Sequence, residues 1–272
     1  MPSGRALSLL LVLALGLAAP SCRYSPWETD PDCTDKPGKN LASLALREAG
    51  GSDVRIALLT DSHNNVDRLD EVVSWINARG DIDFVIVLGD ITNQGLLLEY
   101  EWACTGLRDL NAPRFYTIGN HDAISFGKEV FREMFGPYDL AFRFRNSRFI
   151  LYNANKFEFS GVPDYDFIAA AAAVAGGETR IHTVAFSHVP PEVDVYTQAE
   201  VDFEEAFMAA NGVDFTVHGH RDVYSLVQDG FGTRHLIVPS VERAYYSVLT
   251  LTAGDAVTVE TCQDTCTTRA SW

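Results

Sequence analysis

Side chains of the kind that bind metal ions recur at the ends of predicted buried strands in this chain. Five such strand ends carry Asp61 and His63, Asp90, Asn120 and His121, His188, and finally His220 and Asp222. Because the loops at strand carboxyl ends of an α/β sheet converge on one crevice, these residues can meet at a common site. Imidazole nitrogens combined with carboxylate oxygens suit Mn, Fe, Zn or Co, and Asp90 is the natural bridge to a second metal ion. The pattern predicts a divalent metal centre.

The same residues form an ordered series of motifs. The series runs Asp61-x-His63, Gly89-Asp90-x-x-x-x-Gly95, Gly119-Asn120-His121-Asp122, Ser187-His188 and Gly219-His220-x-Asp222. It resembles the calcineurin-like metallophosphoesterases over about residues 54–252, and the Gly-Asn-His-Asp block is its most specific part. The resemblance implies an α/β fold of two mixed β-sheets sandwiched between helices, in four layers ordered α/β/β/α.

The resemblance also implies a metal-dependent phosphoester hydrolase, either a phosphodiesterase or a phosphomonoesterase, with two metal ions drawn from Mn, Fe, Zn or Mg. A hydroxide that bridges the metals would attack phosphorus in line with the leaving oxygen. The catalytic residues would be His121, which stabilises or protonates the leaving group, and Asp122, which orients it. Carried over by position, the metal ligands are Asp61, His63 and Asp222 for one ion, Asn120, His188 and His220 for the other, and Asp90 for both.

One ligand departs from the family pattern, which ends Gly-His-x-His, because position 222 is an aspartate. We expect the extra carboxylate to bias that metal toward harder cations such as Mn(II), Fe(III) or Mg rather than Zn. A second register, with His218 and His220 as the histidine pair, lacks the glycine before the first histidine and stays open. An alternative function is a catalytically weakened family member that acts as a binding or scaffold protein on the cell envelope; the retained His121 argues against it.

Hydrophobic periodicity shows how these residues are positioned. Strand patterns alternate with helix patterns from residue 54 onward, and the tail becomes all-β, which favours one mixed α/β domain. The predicted helices lie between Asn65 and Gly80 and at 96–110, 128–135, 167–175 and 201–210. The predicted strands lie at 54–60, 84–88, 115–118, 140–144, 149–153, 181–186, 215–217, 223–228, 234–238, 245–252 and 256–261.

Composition restricts the partners. The 272 residues are 47% hydrophobic, and 37 acidic against 21 basic side chains give a net charge of -16. A chain this acidic repels phosphate backbones and anionic lipid, so we expect neither a nucleic-acid surface nor electrostatic membrane binding. A small phosphorylated substrate would need a local cation, which bound metals would supply.

The N-terminus has the pattern of an export signal. The apolar run at residues 6–19 would span roughly 21 Å as a helix, which is short of the roughly 30 Å hydrocarbon layer of a membrane. Gly16-Leu17-Ala18 resembles an ordinary cleavage site, whereas Ala19-Pro20-Ser21-Cys22 resembles a bacterial lipobox. We predict a signal peptide over 1–21, a tether over 22–52 and the metallophosphoesterase domain over 53–272. The protein would then be exported to a bacterial cell envelope, with a lipid anchor at Cys22 as its only contact with the membrane.

Four cysteines remain after Cys22, and they allow three pairings. We hypothesise that Cys262 pairs with Cys266 at the tail and that Cys33 pairs with Cys104, which would join the tether to the domain. The alternative is that Cys104, inside a helical pattern, is a buried apolar residue.

Overall fold

The computed structural model describes residues 25–174, 181–191, 193 and 195–272. The predicted signal peptide and Cys22 lie outside these residues. The helices are α1 (Pro37–Ala45), α2 (Val66–Arg79), α3 (Leu97–Leu107), α4 (Gly127–Met134), α5 (Tyr165–Ala172) and α6 (Gln198–Ala210). Short 3₁₀ turns lie at Glu48–Gly50, His121–Ala123 and Val241–Arg243. In the described part of the chain, no helix is long and apolar enough to cross a membrane.

The strands form two mixed sheets of six strands each. They are β1 (Val54–Leu59), β2 (Phe84–Val87), β3 (Arg114–Tyr116), β4 (Leu140–Phe144), β5 (Ser147–Leu151), β6 (His182–Phe186), β7 (Phe215–His218), β8 (Ser225–Gln228), β9 (Arg234–Ile237), β10 (Tyr246–Leu251), β11 (Val257–Cys262) and β12 (Cys266–Ser271). The first sheet has the order β12-β11-β10-β1-β2-β3, and the second has the order β4-β5-β6-β7-β9-β8. In each sheet a parallel block, β1-β2-β3 or β5-β6-β7-β9, supplies strand ends that point the same way.

The layers follow from which faces of the strands are apolar. One core joins the two sheets: Phe84 of β2 lies edge-on to Phe149 of β5, with ring centroids 5.0 Å apart. A second core covers the first sheet with α2, α3 and α4, and a third covers the second sheet with α5 and α6. The strands of both parallel blocks are buried on both faces, as expected for a sheet between layers. The predicted four-layer α/β/β/α fold is confirmed.

The structure corrects the predicted tether over 22–52. Helix α1 lies inside that range, and its Leu44 is part of the core between the sheets. Just before α1, the buried Asp35 carboxylate accepts hydrogen bonds from Arg114 Nε and from the Tyr116 hydroxyl of β3. Asn40 of α1 accepts a hydrogen bond from the Arg114 backbone. The segment from Cys33 onward therefore belongs to the domain.

Both hypothesised disulfides are present. Cys33 is bonded to Cys104 of α3, and Cys262 is bonded to Cys266 across the turn between β11 and β12. The first bond joins positions 71 residues apart, so it restricts the unfolded chain more than the second, which closes a separation of 4. Strand β12 was not predicted, because its polar sequence pairs only with β11 and faces solvent on most positions.

Candidate metal centre

The loops after the parallel strands meet at one end of the two sheets. The Asp61 amide donates to the Gly89 carbonyl at 3.0 Å, and the His63 amide donates to the Asp90 carbonyl at 3.1 Å, so the loops after β1 and β2 are paired. In the second sheet the Gly219 amide donates to the His188 carbonyl at 3.1 Å. The two sheets are joined where the His220 amide donates to Asp61 Oδ2 at 2.9 Å. Convergence of the predicted strand ends is therefore confirmed.

A first group of ligand-type atoms consists of Asp61, His63 and Asp90. His63 Nε2 lies 3.7 Å from Asp61 Oδ1 and 3.8 Å from Asp90 Oδ2. These separations are longer than hydrogen bonds. Nδ1 of His63 is buried and has no hydrogen-bond partner. The group thus holds three potential metal-ligand atoms close together, and His63 Nε2 is not hydrogen-bonded to either carboxylate.

A second group consists of Asp90, His188 and His220, with Asn120 beside it. His188 Nε2 lies 3.0 Å from Asp90 Oδ2, while its Nδ1 donates to the Leu88 carbonyl at 2.7 Å. The backbone contact fixes the tautomer that leaves Nε2 to face the centre. His220 Nδ1 lies 3.3 Å from His188 Nε2 and 3.1 Å from Asn120 Oδ1. Asp90 is shared by both groups, as predicted for a bridging residue.

Burial and mutual charge shift the titration of these side chains. Asp61 beside it raises the pKa of His63 to about 9, against the effect of burial. Burial lowers the pKa of His188, but Asp90 and Asp61 outweigh it and raise the value to about 10. Burial would raise the pKa of Asp90, yet His188 holds it below its usual range. The pKa of His220 is lowered by burial and by His188. The buried carboxylates at this centre therefore favour positively charged groups beside them.

The backbone of the ligand loops is strained. Asp61, His63, Asp90, His220 and Asp222 all have positive φ, between 43° and 71°. Such values cost non-glycine residues energy and concentrate at functional sites. Gly119 of the third motif lies so close to Asp90 that a side chain would not fit there, because a Cβ at position 119 would lie 2.1 Å from Asp90 Oδ1.

His121 lies beside the first group. Its ring packs edge-on to that of His63, with centroids 5.0 Å apart, and its amide donates to Asp90 Oδ1 at 2.9 Å. Nδ1 lies 3.0 Å from the Asn93 carbonyl, which can only accept, so Nδ1 carries a hydrogen. This contact leaves Nε2 as the nitrogen that can exchange a proton with a substrate.

The expected role of Asp122 in orienting His121 is corrected by these contacts. Asp122 is fully buried, and its carboxylate accepts from the Thr92 amide, the Thr92 hydroxyl and the Gly119 amide at 2.9 to 3.0 Å. Burial and the charge of Asp90 raise its pKa to about 6. Asp122 therefore ties the loop after β2 to the loop after β3, and the Asn93 carbonyl orients the His121 ring.

Asp222 lies outside both groups of ligand-type atoms. Its backbone φ is 55°, and its Oδ1 is buried without a hydrogen-bond partner, as expected for an oxygen that binds a ligand.

The alternative register, in which His218 would be a metal ligand, is not supported, because both ring nitrogens of His218 have other partners. Its Nδ1 lies 2.9 Å from Ser187 Oγ, and its Nε2 lies 2.6 Å from Thr216 Oγ1. His218 supports the site from beneath.

Two supporting residues were missed in the sequence. Thr60 Oγ1 donates to Asp61 Oδ2 at 2.5 Å and fixes that carboxylate. Asn93 contacts His121 through its carbonyl and donates from Nδ2 to the His63 carbonyl at 3.1 Å. Thr60 directly precedes the first motif and Asn93 lies within the second, so their positions next to the motifs are the feature of the sequence that could have identified them. Asn64, which follows His63, donates its Nδ2 to Glu99 at 2.6 Å.

The residues fit divalent metal ions. Two histidine-carboxylate groups share one aspartate, an amide oxygen joins the second group, His63 Nε2 lies near two carboxylates without a hydrogen bond to either, and the buried Asp222 Oδ1 has no partner. Mixed nitrogen and oxygen donors of this kind suit Mn, Fe, Zn or Mg. Asp61, His63, Asp90, Asn120, His188 and His220, with Asp222 through its unpaired Oδ1, are therefore the residues that would hold metal.

Solved structures resemble the chain. A purple acid phosphatase from yellow lupin (Lupinus luteus) seeds is 12% identical with a TM-score of 0.66; the match covers 82% of this chain but 53% of the lupin protein, about half its length. A dimetal phosphatase from Danio rerio is 13% identical over 80% of this chain and 99% of its own, with a TM-score of 0.64. GAP50, the anchor in the inner membrane complex of Plasmodium, is 11% identical over 79% and 85%, with a TM-score of 0.58.

Likeness at these identities establishes the fold. No curated protein sequence matches the chain. The family model for calcineurin-like phosphoesterases matches residues 54–224, which is more than half of the chain and includes every predicted ligand and His121. The protein belongs to the calcineurin-like phosphoesterase family.

Proposed function

We propose that this protein is a di-metal phosphoesterase that hydrolyses a small phosphorylated substrate. The observation that carries the proposal is the sharing of Asp90 by two groups of ligand-type atoms, each made of two buried residues and one half-buried histidine. One metal would be held by Asp61, His63 and Asp222, and the other by Asn120, His188 and His220. The bound ions would supply Lewis-acid activation of the phosphoryl group and of water.

The chain's own residues supply proton transfer and rigidity. His121, held at Nδ1–H by the Asn93 carbonyl, presents Nε2 to the leaving oxygen; as an imidazolium it would donate the Nε2 proton to that oxygen as the ester bond breaks and would be left neutral with its Nδ1–H retained. Thr60 and the Leu88 carbonyl hold Asp61 and His188 in place. Asp122 keeps the His121 loop against the loop after β2. These contacts preorganise the site.

The proposed location is a bacterial cell envelope, reached by export and kept by a lipid anchor at Cys22. The support is the apolar run at residues 6–19 followed by the lipobox-like Ala19-Pro20-Ser21-Cys22. Two disulfides fit an oxidising compartment. Mass spectrometry of the protein made in a bacterial host tests the anchor: a diacylglycerol adduct at Cys22 supports it, and cleavage after Ala18 contradicts it.

Hydrolysis of bis(p-nitrophenyl) phosphate and p-nitrophenyl phosphate with added Mn²⁺ tests the activity. We expect turnover of at least one ester, abolished by a chelator and by Asp90→Asn, and reduced less by His121→Ala, because p-nitrophenolate is a good leaving group that needs little protonation. Activity on only one ester would separate diesterase from monoesterase. No metal-dependent turnover of either ester would favour the binding or scaffold role instead.

A further inference from the structure

A rigid turn presents an exposed aromatic side chain next to the candidate metal centre. Ile124 and Phe126 lie two and four residues after Asp122, and they are 36% and 41% exposed. Gly127 fixes the turn, because a Cβ there would lie 1.9 Å from the Asp122 carbonyl oxygen. The Tyr100 hydroxyl donates to the same carbonyl at 2.7 Å. Phe126 is therefore held at a defined place four residues beyond Asp122.

A second exposed aromatic comes from the loop between β5 and α5. Asn155 Nδ2 donates at 2.7 Å to the carbonyl of Ile118, two residues before Asn120, so this loop is anchored at the centre. Phe159 points inward and packs edge-on to Tyr138. Phe157, two residues earlier, is 78% exposed.

A hydrogen bond joins the two segments that carry these aromatics. Lys128, in the first turn of α4 just after Phe126, donates its Nζ to the Glu158 carbonyl next to Phe157. Single exposed apolar side chains are ordinary on protein surfaces, but these two lie on joined segments that both pack against residues 118–122, next to the candidate ligand Asn120.

The two lysines beside these aromatics, Lys128 and Lys156, are already engaged in contacts. Lys128 Nζ lies 4.4 Å from the centroid of the Phe159 ring in addition to its carbonyl contact. Lys156 forms an ion pair with Glu200. With a net charge of -16 as well, this side is unsuited to further phosphates on the substrate and favours an uncharged, apolar group.

A cleft beside His63 has a different lining. It has a volume of about 460 Å³ and is lined by Asn64, Asn65, Asp67, Asn93 and Glu242. Its lining is mainly polar and acidic. His121 is bonded to the Asn93 carbonyl and lies five residues before Phe126, so it connects this polar cleft to the segment that carries Phe126.

We propose that Phe126 and Phe157 form a subsite for an aromatic ring on the alcohol portion of the phosphoester. The inference rests on the proposed function and narrows its substrate to esters of uncharged, ring-bearing alcohols. Phosphorus would sit at the metals, His121 would face the ester oxygen, and the ring would stack on the exposed phenyl groups. Two phenyl faces favour a planar ring over a flexible chain.

The test compares 2-phenylethyl phosphate with ethyl phosphate, and their methyl diesters if the enzyme is a diesterase. The two alcohols are similarly poor leaving groups, so the ratio of kcat/KM reports recognition of the ring. We expect a ratio of about tenfold or more, the size of one base-aromatic stack. The double variant Phe126→Ser/Phe157→Ser should bring the ratio close to one. Phe231→Ser should keep the ratio, because Phe231 is similarly exposed (56%) and lies by the starts of β7 and β9, away from the centre.

A binding measurement separates failure of the subsite from failure of the proposed function. Calorimetry with 2-phenylethylphosphonate and ethylphosphonate, which cannot be hydrolysed as esters, should show the same preference and the same loss in the double variant. Preferential binding without any ester hydrolysis would overturn the proposed function and leave the subsite supported. Hydrolysis without a preference for the ring would overturn the subsite, as would an equal preference for octyl phosphate or a ratio that survives the double variant.

Discussion

Among the described residues, histidine and carboxylate atoms lie within 4.8 Å of one another in two places: the candidate metal centre, whose two groups share Asp90, and a cluster made of Glu205, Asp229 and His235. Residue types and spacing do not distinguish them. Their hydrogen bonds do. At the metal centre, His63 Nε2 lies 3.7 Å from Asp61 and 3.8 Å from Asp90, too far for hydrogen bonds, and the buried Asp222 Oδ1 has no partner.

The second cluster is fully paired at its buried members. His235 Nε2 lies 3.1 Å from Asp229 Oδ2, and its Nδ1 lies 2.8 Å from Thr216 Oγ1. Asp229 Oδ1 accepts from the amides of Phe231 and Thr233 at 2.9 Å. A chain of side-chain hydrogen bonds continues from Thr216 through His218 to Ser187, which precedes the candidate ligand His188.

The comparison indicates that a group of ligand-type residues marks a metal site when its buried atoms lack partners. Buried polar atoms are normally hydrogen-bonded, and a set left unpaired costs stability unless a ligand satisfies it. The metal centre also carries positive φ at Asp61, His63 and Asp90, whereas Asp229 and His235 are absent from the residues with positive φ. We infer that the second cluster stabilises the fold beneath the first.

Matched substitutions give the largest predicted difference between the clusters. Asp90→Asn removes the charge shared by both groups, so we expect loss of bound metal and a fall in kcat/KM of about 10³-fold or more. Asp229→Asn should keep metal content and change kcat/KM by less than about threefold, while it lowers the free energy of unfolding. Elemental analysis, steady-state rates and denaturant titrations provide the three readouts. Equal losses of metal in both variants would contradict the comparison.

Substitution of His121 tests proton transfer separately from metal binding at the candidate metal centre. His121→Ala should lower kcat by about 10²-fold, the low end for general acid catalysis, with metal content unchanged. The loss should be smaller for p-nitrophenyl esters than for alkyl esters, because p-nitrophenolate leaves without protonation. An equal loss for both kinds of ester would show that His121 does not protonate the leaving group. His182→Ala is the control, since His182 contacts the Thr252 carbonyl at the start of β6.

Thr216 tests the internal hydrogen-bond chain. Thr216→Val keeps the side-chain shape but leaves His218 Nε2 and His235 Nδ1 without their shared hydroxyl. We expect a loss of about 1–3 kcal/mol in the free energy of unfolding, the cost of unsatisfied buried polar groups. Metal content should stay the same. Thr183→Val is a suitable control, because the buried Thr183 hydroxyl has no hydrogen-bond partner, so its loss should cost little.

The sequence was sufficient for features that depend on local pattern. Buried runs such as Val54–Leu59 end in polar loops, and the shared direction of parallel strands brings Asp61, Asp90 and His188 together. Helix α1 was missed because its place depends on contacts distant in sequence, such as Asp35 with Arg114. The orientation of His121 was missed because it comes from a backbone carbonyl, which residue type does not reveal.

The smallest predicted effect concerns Asp222, which lies outside both groups of ligand-type atoms although its Oδ1 is buried and unpaired. Asp222→His would replace a hard oxygen donor with imidazole and make the centre one charge less negative. We expect the ratio of activities with Mn²⁺ and Zn²⁺ to shift toward Zn²⁺ by about tenfold, because imidazole suits Zn²⁺ better than it suits Mn²⁺. Total metal content should stay the same, since Asp61, His63 and Asp90 remain.

Reconstitution of the metal-free protein with each ion measures this shift, and Asp255→His is the matched control. Asp255 is also a non-glycine residue with positive φ, but its side chain is 85% exposed and it lies beside His182, so a histidine there should leave the metal preference unchanged. A wild-type enzyme that is strictly zinc-dependent and unaffected by Asp222→His would exclude Asp222 as a ligand. The unpaired Oδ1 would then need another partner, and three ligands, Asp61, His63 and Asp90, would have to hold the first metal.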